Sequence, residues 1–409
     1  MTKRIGSESK TVPAKLRWKR TLQALTLISF LVLAGCWDRI EVNDLAIILA
    51  TGVDTRGDQV EMTAQIFIPR KSGGGMGGSS SGETSSSGVT MIRTAVGSNV
   101  AEAMNRLQRK VSRNVFWGHC EVIVISEQAS KQGLHQYLDF FLRFTQIREH
   151  AYVFSTDKKA RDILALLPPL ERSSAESLRE MGNLKLGTHV TVLNLAQSIE
   201  GPSRSAVLSR MLILAPTSGQ SKFISDPYVK GLSLIKGDHY VKTVTEPMSV
   251  GVLMLLNQLN NIIMPIDLDG NEGAVSIRLI SMRTTLTPRI ANNEWSMMIK
   301  VDAKGEVVLN TTTRSITDPH KNTMVEEQWK KKLTELAENA LKLSQKQLKT
   351  DFFGFSIQFR RHYPRKWKSQ KENWDATFEN MKVDVRVDTL ITSTGKSTDP
   401  QGVPGQSVH

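Results

Sequence analysis

The chain has 409 residues, with 53 Lys and Arg against 40 Asp and Glu, for a formal net charge of +13. Seven of the basic residues and one acid fall in the first 35, so the remainder holds 46 basic against 39 acidic residues, or +7. That excess is too diffuse for a nucleic-acid groove, and no aromatic-and-basic module accompanies it. Two cysteines exclude a disulfide framework, and a chain of this length holds two or three domains with real cores.

Lys15, Arg17, Lys19 and Arg20 lead into an apolar run from Leu22 to Ala34, closed by Leu33-Ala34-Gly35-Cys36. At about 13 residues the run falls well short of the roughly 20 that a bilayer-spanning helix needs. Basic, apolar and small-residue regions in this order form a secretory signal over 1–35 that ends in a lipobox. The Cys36 thiolate is the nucleophile that takes a diacylglycerol. Cleavage after Gly35 then frees its amine for a further acyl chain, and two or more chains anchor stably. Everything after Cys36 is expected to be a body tethered outside a membrane.

From Asp44 to Asp54 an apolar, β-branched run predicts a buried strand. Arg56-Gly57-Asp58 turns the chain, and Val60, Met62, Ala64, Ile66 and Ile68 alternate with polar residues in a returning strand. Residues 72–88 are nearly all Gly or Ser and read as a flexible surface loop within the first domain. Val100, Ala103, Met104, Leu107 and Val111 recur at helical spacing behind Ser98 as N-cap. Glu121–Ser126 predicts a strand, Leu134 to Phe141 a helix and Ala151–Phe154 a strand. Ser173 with Glu176 forms a capping box that opens a helix to about Leu184.

Gly201-Pro202 marks the first domain boundary. Ala206–Ala215 predicts a strand, and Gly231–Ile235 with His239–Val241 a hairpin, in a middle domain over 203–285. The last third begins with predicted strands at Gly273–Met282 and Glu294–Asp302, the second within a C-terminal domain over 286–393, and Gly305 turns the chain into Val307-Val308-Leu309. Val325, Trp329, Leu333, Leu336, Ala340 and Leu343 draw an apolar stripe along a helix of about seven turns, either a core face or a docking face. Pro364 stops a further helix, and Val383, Val385 and Val387 alternate in a closing strand. The tail, 394–409, is polar and expected to be disordered. The fold class is therefore α+β: a three-domain body, 36–202, 203–285 and 286–393, of mixed and antiparallel sheets with covering helices.

No motif for catalysis or cofactor binding survives inspection. Gly395-Lys396-Ser397 ends like a phosphate loop, but Leu390 stands where its first glycine belongs. Asp267, Asp269 and Asn271 space like a calcium loop, yet Glu272 and Arg278 occupy the positions that need glycine and a bidentate carboxylate. His119-Cys120 has no second pair of ligands at workable spacing, so no metal and no cofactor is expected, and Cys120 reads as a buried thiol. The expectation is a protein that is not an enzyme.

Cys36-Trp37-Asp38-Arg39-Ile40-Glu41 with Asp44-Leu45-Ala46 resembles the mature start of the Ger(x)C family, the lipoprotein C subunits of spore germinant receptors. The resemblance continues in Leu142-Arg143-Phe144 to Arg148, in Ala160-Arg161-Asp162-Ile163-Leu164, and most densely from Asp351-Phe352-Phe353-Gly354-Phe355 through Arg360, Arg361, Pro364, Trp367 and Trp374. It implies a three-domain α+β body held by lipid on the outer face of the spore inner membrane, assembled with two membrane-spanning partner subunits that sense nutrients. No catalytic residue carries over. The residues themselves place phenylalanines at helical spacing against the long helix, with Gly354 permitting close approach. Arg360, Arg361, Arg365 and Lys366 gather into a positive face, either solvated or a contact for a partner or anionic lipid. The alternative function is a tethered solute-binding or cell-wall-modifying lipoprotein, which needs a concave pocket where a receptor subunit needs an exposed patch.

Overall fold

The computed structural model describes residues 44–68, 89–216, 219, 221, 223–268, 273–312 and 319–395, with Trp18 and Gln23 besides; of 319–322 the backbone alone is described. Met1–Leu45 and Ala46–His409 are separate compact units, and the two sheets lie, Leu45 apart, in the second. The expected signal sequence apart from Trp18 and Gln23, Cys36, Trp37, Asp38, the expected loop 72–88 and the tail from Lys396 onward lie outside the described residues.

Alternating and continuous apolar runs become strands where expected. β1 (Leu45–Arg56) and β2 (Gln59–Phe67) pair antiparallel around Gly57, and β3 (Thr90–Gly97) returns along β2. β3 was not legible beside the Gly/Ser stretch. β4 (Asn114–Phe116) pairs with β1, while β5 (Val122–Ser126) and β6 (Tyr152–Thr156) extend the sheet in parallel. β7 (Ser205–Ile213), β8 (Pro227–Lys236) and β9 (His239–Val244) continue it. Its order is β3-β2-β1-β5-β6-β7-β8-β9.

Both faces of this sheet are covered, which is why β5 is buried at every position. Ile123 and Ile125 face α1 (Val100–Gln108), α3 (His135–Arg143) and α6 (Val192–Glu200), and short α2 (Glu127–Gln132) adds Ala129 to that layer. Val122 and Val124 face α4 (Ala160–Leu164) and α5 (Ser174–Asn183). The capping differs from expectation in two places. Asn99, not Ser98, caps α1 by accepting from Glu102 N at 2.9 Å, while Ser98 donates to the Glu102 carboxylate. Ser173 does cap α5, but the Glu176 carboxylate accepts from Arg172 N instead of closing a box; the full box is Thr191 with Asn194 on α6.

The second sheet runs β10 (Ile263–Asp267), β11 (Ala274–Ala291), β12 (Glu294–Asn310) and β13 (Lys382–Ser393). β11 and β12 form one long hairpin whose turn, Asn292-Asn293, has both φ angles positive, at 49° and 64°, as a two-residue type I′ turn requires. Gly305 does not turn the chain. β12 continues through it with an irregularity in register beside it, and a Cβ there would stand 2.5 Å from Ile277 Cγ2 and 2.8 Å from Trp329 Cη2. The glycine gives the long helix close approach to the sheet.

That helix, α8 (Pro319–Lys342), ends in a π-helical turn, Leu343–Leu348. Its stripe is core: Trp329, Leu333 and Ala340 are fully buried with α7 (Met248–Leu255) and the inner face of β12. The same core takes in Val207, Leu232 and Leu234 from β7 and β8, so an apolar seam joins the two sheets.

Candidate functional site

The seam is latched by one buried carboxylate. Asp351 is fully buried, and its Oδ1 accepts from Phe353 N at 3.2 Å and Phe355 N at 3.0 Å. Oδ2 accepts from Ser356 N at 2.8 Å and Ser203 Oγ at 3.2 Å, and Ser205 Oγ donates to the Asp351 carbonyl at 2.6 Å. The carboxylate thus opens α9 (Phe355–His362), and through Ser203 and Ser205 Asp351 ties that helix to the start of β7. Burial pushes its carboxyl above the ordinary value, opposed by the backbone donors of Ser356 and Phe355. Ser203 and Ser205 escaped sequence reasoning. They lie almost 150 residues from Asp351, and no local pattern marks them.

Gly354 has φ +76°, and the nearest atom to a Cβ built there is Ile357 Cδ1 at 3.4 Å. Its role is therefore the left-handed backbone that turns the chain into α9, not the close approach expected of it. Phe355 and Phe359 point inward from α9, Trp367 from α10 (Pro364–Gln370), and Trp374 and Phe378 from α11 (Trp374–Asn380). Their rings pack at 5.0 Å for Trp367 with Trp374, 5.5 Å for Phe355 with Phe378 and 5.7 Å for Phe359 with Trp374; Trp295 of β12 closes on Phe359 at 4.7 Å. Pro364 follows the end of α9 and stands at the first position of α10, where its missing N–H leaves no bond unmade.

With Phe359 and Trp367 anchored in that cluster, Arg360, Arg361, Arg365 and Lys366 are turned outward, and all four are exposed, as is Lys368. Among the described residues none of these five lies within ion-pair distance of a carboxylate. The outer face of the second sheet differs: Lys300 meets Asp302 and Asp388 at 2.8 and 3.3 Å, Arg386 meets Asp384 at 3.0 Å, and Arg278 pairs with Glu306. The basic face is a run of cations with no compensating acid, on a rigid aromatic base.

Elsewhere the chemistry is quiet. Cys120 is buried, its Sγ 3.6 Å from Val122 O, and burial pushes the thiol up to about 12. Among the described residues no group of three or more His, Cys, Asp or Glu is placed to hold a metal ion, and no helix is long and apolar enough to cross a membrane. A concave space of 530 Å³ opens at the seam between Ser203–Arg204, Lys236 and the residues from Lys371 to Ala376.

Fold and surface together define a two-sheet α+β protein that presents unpaired charge on a braced helical face. Two family models match it, the spore germination protein N-terminal domain over residues 38–213 and the spore germination B3/GerAC-like C-terminal domain over 230–395. The chain belongs to the Ger(x)C family of spore germination proteins. It is 27% identical to spore germination protein KC of Bacillus subtilis (strain 168) over 93% of this chain and 97% of that one. It is 22% identical to spore germination protein A3 of the same organism, covering 90% and 96%. A crystal structure of the GerBC protein shares the fold, with a TM-score of 0.54 at 16% identity over 84% of this chain and 97% of that one.

Proposed function

We propose that this chain is a non-catalytic, lipid-anchored subunit of a spore nutrient germinant receptor, held through Cys36 on the outer face of the spore inner membrane. In this reading it works in assembly or signalling with two membrane-spanning partner subunits. Family membership and the relatives' descriptions as spore germination proteins support the setting. The observation that carries the role is the uncompensated basic face of Arg360, Arg361, Arg365 and Lys366. Cations left without acids on a rigid base suit an acidic partner surface, since complementary charge sets encounter rate and register.

Changing Arg361 and Arg365 together to Ser tests it. Exposed charges away from packing usually alter stability by less than about 0.5 kcal/mol, so the melt should stay where it is. The amount of partner subunit recovered with the protein from spore membranes should fall, and nutrient-triggered germination should slow. Normal recovery and germination in the folded double variant would leave the face as solvated surface.

A further inference from the structure

The cavity at the seam differs from the basic face in shape and in the state of its charges. Arg204 lines it in a left-handed backbone conformation, φ +46°, that long side chains rarely adopt. The backbone around it is fixed, since Arg204 N donates to Gly201 O at 3.1 Å and Gly237 N donates to Arg204 O at 2.6 Å. Its guanidinium has no partner among the described residues. Lys236, the last residue of β8, lines the same wall. Its Nζ lies 3.4 Å from Leu348 O, 3.3 Å from Lys349 O and 3.6 Å from the Asp375 carboxylate, three acceptors at the long end of hydrogen-bonding range or beyond it. The opposite wall carries Lys371, paired at 3.1 Å with an exposed Glu372.

We propose that this cavity binds a small anion with two or more negatively charged oxygens, a phosphate or a polycarboxylate, bridging the first sheet to the C-terminal helices. The volume, 530 Å³, is in the range of small-ligand sites. Its five charged lining groups sum to +1, with the free guanidinium supplying the excess. A guanidinium is the planar fork that matches such oxygens two at a time, and Lys236 and Lys371 act as point charges beside it. The competing acids hold little claim: Asp375 and Glu372 are 59% and 83% exposed, and exposed pairs of this kind are weak. An anion here contacts both walls, so its binding stabilises the closed seam by mass action.

The full chain, purified in mild detergent, is titrated with inorganic phosphate and with citrate at constant ionic strength, sodium chloride serving as reference. Calorimetry and the melt should both show saturable binding of at least one probe, and the one that binds tells phosphate from carboxylate chemistry. Arg204→Asn, which keeps a residue that tolerates the left-handed backbone, should weaken binding at least about tenfold, as losing a charge-assisted contact does. Lys236→Gln should do the same, and if that variant fails to fold, the exposed Lys371→Gln takes its place. Arg360→Gln with Arg361→Gln should leave binding unchanged. No saturable binding of either probe, or equal binding by the Arg204→Asn protein, overturns the proposal.

Discussion

Asp351 receives four donors on two oxygens in a site that water does not reach. Asp351→Ala leaves the buried N–H groups of Phe353, Phe355 and Ser356 without acceptors. At about 1–3 kcal/mol for each unsatisfied group, the loss should reach roughly 3 kcal/mol or more in chemical denaturation. A second outcome follows from its titration. The folded carboxyl lies above the ordinary value of 3.8, so between the two values the folded chain holds a proton that the unfolded chain has released. In that window this group makes stability fall as pH rises, and above it the contribution is constant. The stability difference between the parent and Asp351→Asn, which cannot titrate, should therefore shift against the parent as pH rises from 3.8 upward. A difference that stays flat would show that the carboxyl keeps its ordinary value.

At the level of elements, legibility followed how local the cause was. β1, β2 and the β8–β9 hairpin were readable because burial on one or both faces prints a period-two or continuous apolar pattern. The stripe of α8 was readable for the same reason at helical period. Gly305 was misread because a lone glycine in an apolar run marks either a turn or a close approach. The deciding atom, on Trp329, belongs to another element. The far half of β11 was missed where Thr284 to Ile290 face solvent on one side and Pro288 interrupts. Proline is tolerated there since β10 pairs only with Ala274–Arg278, leaving β11 an edge at that point. Of the candidate site, the basic residues and the Asp351 block were visible. Ser203 and Ser205, which bond Asp351, and the cavity residues Arg204 and Lys236 were not, because no local pattern marks them. A test at this scale concerns the Gly/Ser stretch 72–88, whose flanks meet where Ile68 N donates to Val89 O at 2.8 Å. Excising Gly73–Ser87 should shift the melting temperature by about 3 °C or less, since closure entropy varies slowly with length. A fall of many degrees would mean that the excised residues pack.

For the whole molecule, the proposed anchoring would rest on Cys36, because Cys120, the other cysteine, is buried and held as a thiol. Cys36→Ala should leave an unlipidated precursor that fractionates away from membranes after metabolic lipid labelling. Label equal to the parent's would refute the lipobox. The architecture also has a temporal side. β12 ends at Asn310, yet its parallel partner β13 begins at Lys382, and β13 also fills the Glu326 carboxylate through Ile391 N at 2.6 Å. As the chain is synthesised from its amino end, the first sheet is complete while one edge of the second still waits for β13. A product truncated before Lys382 therefore displays a long unpaired strand edge, a template for aggregation.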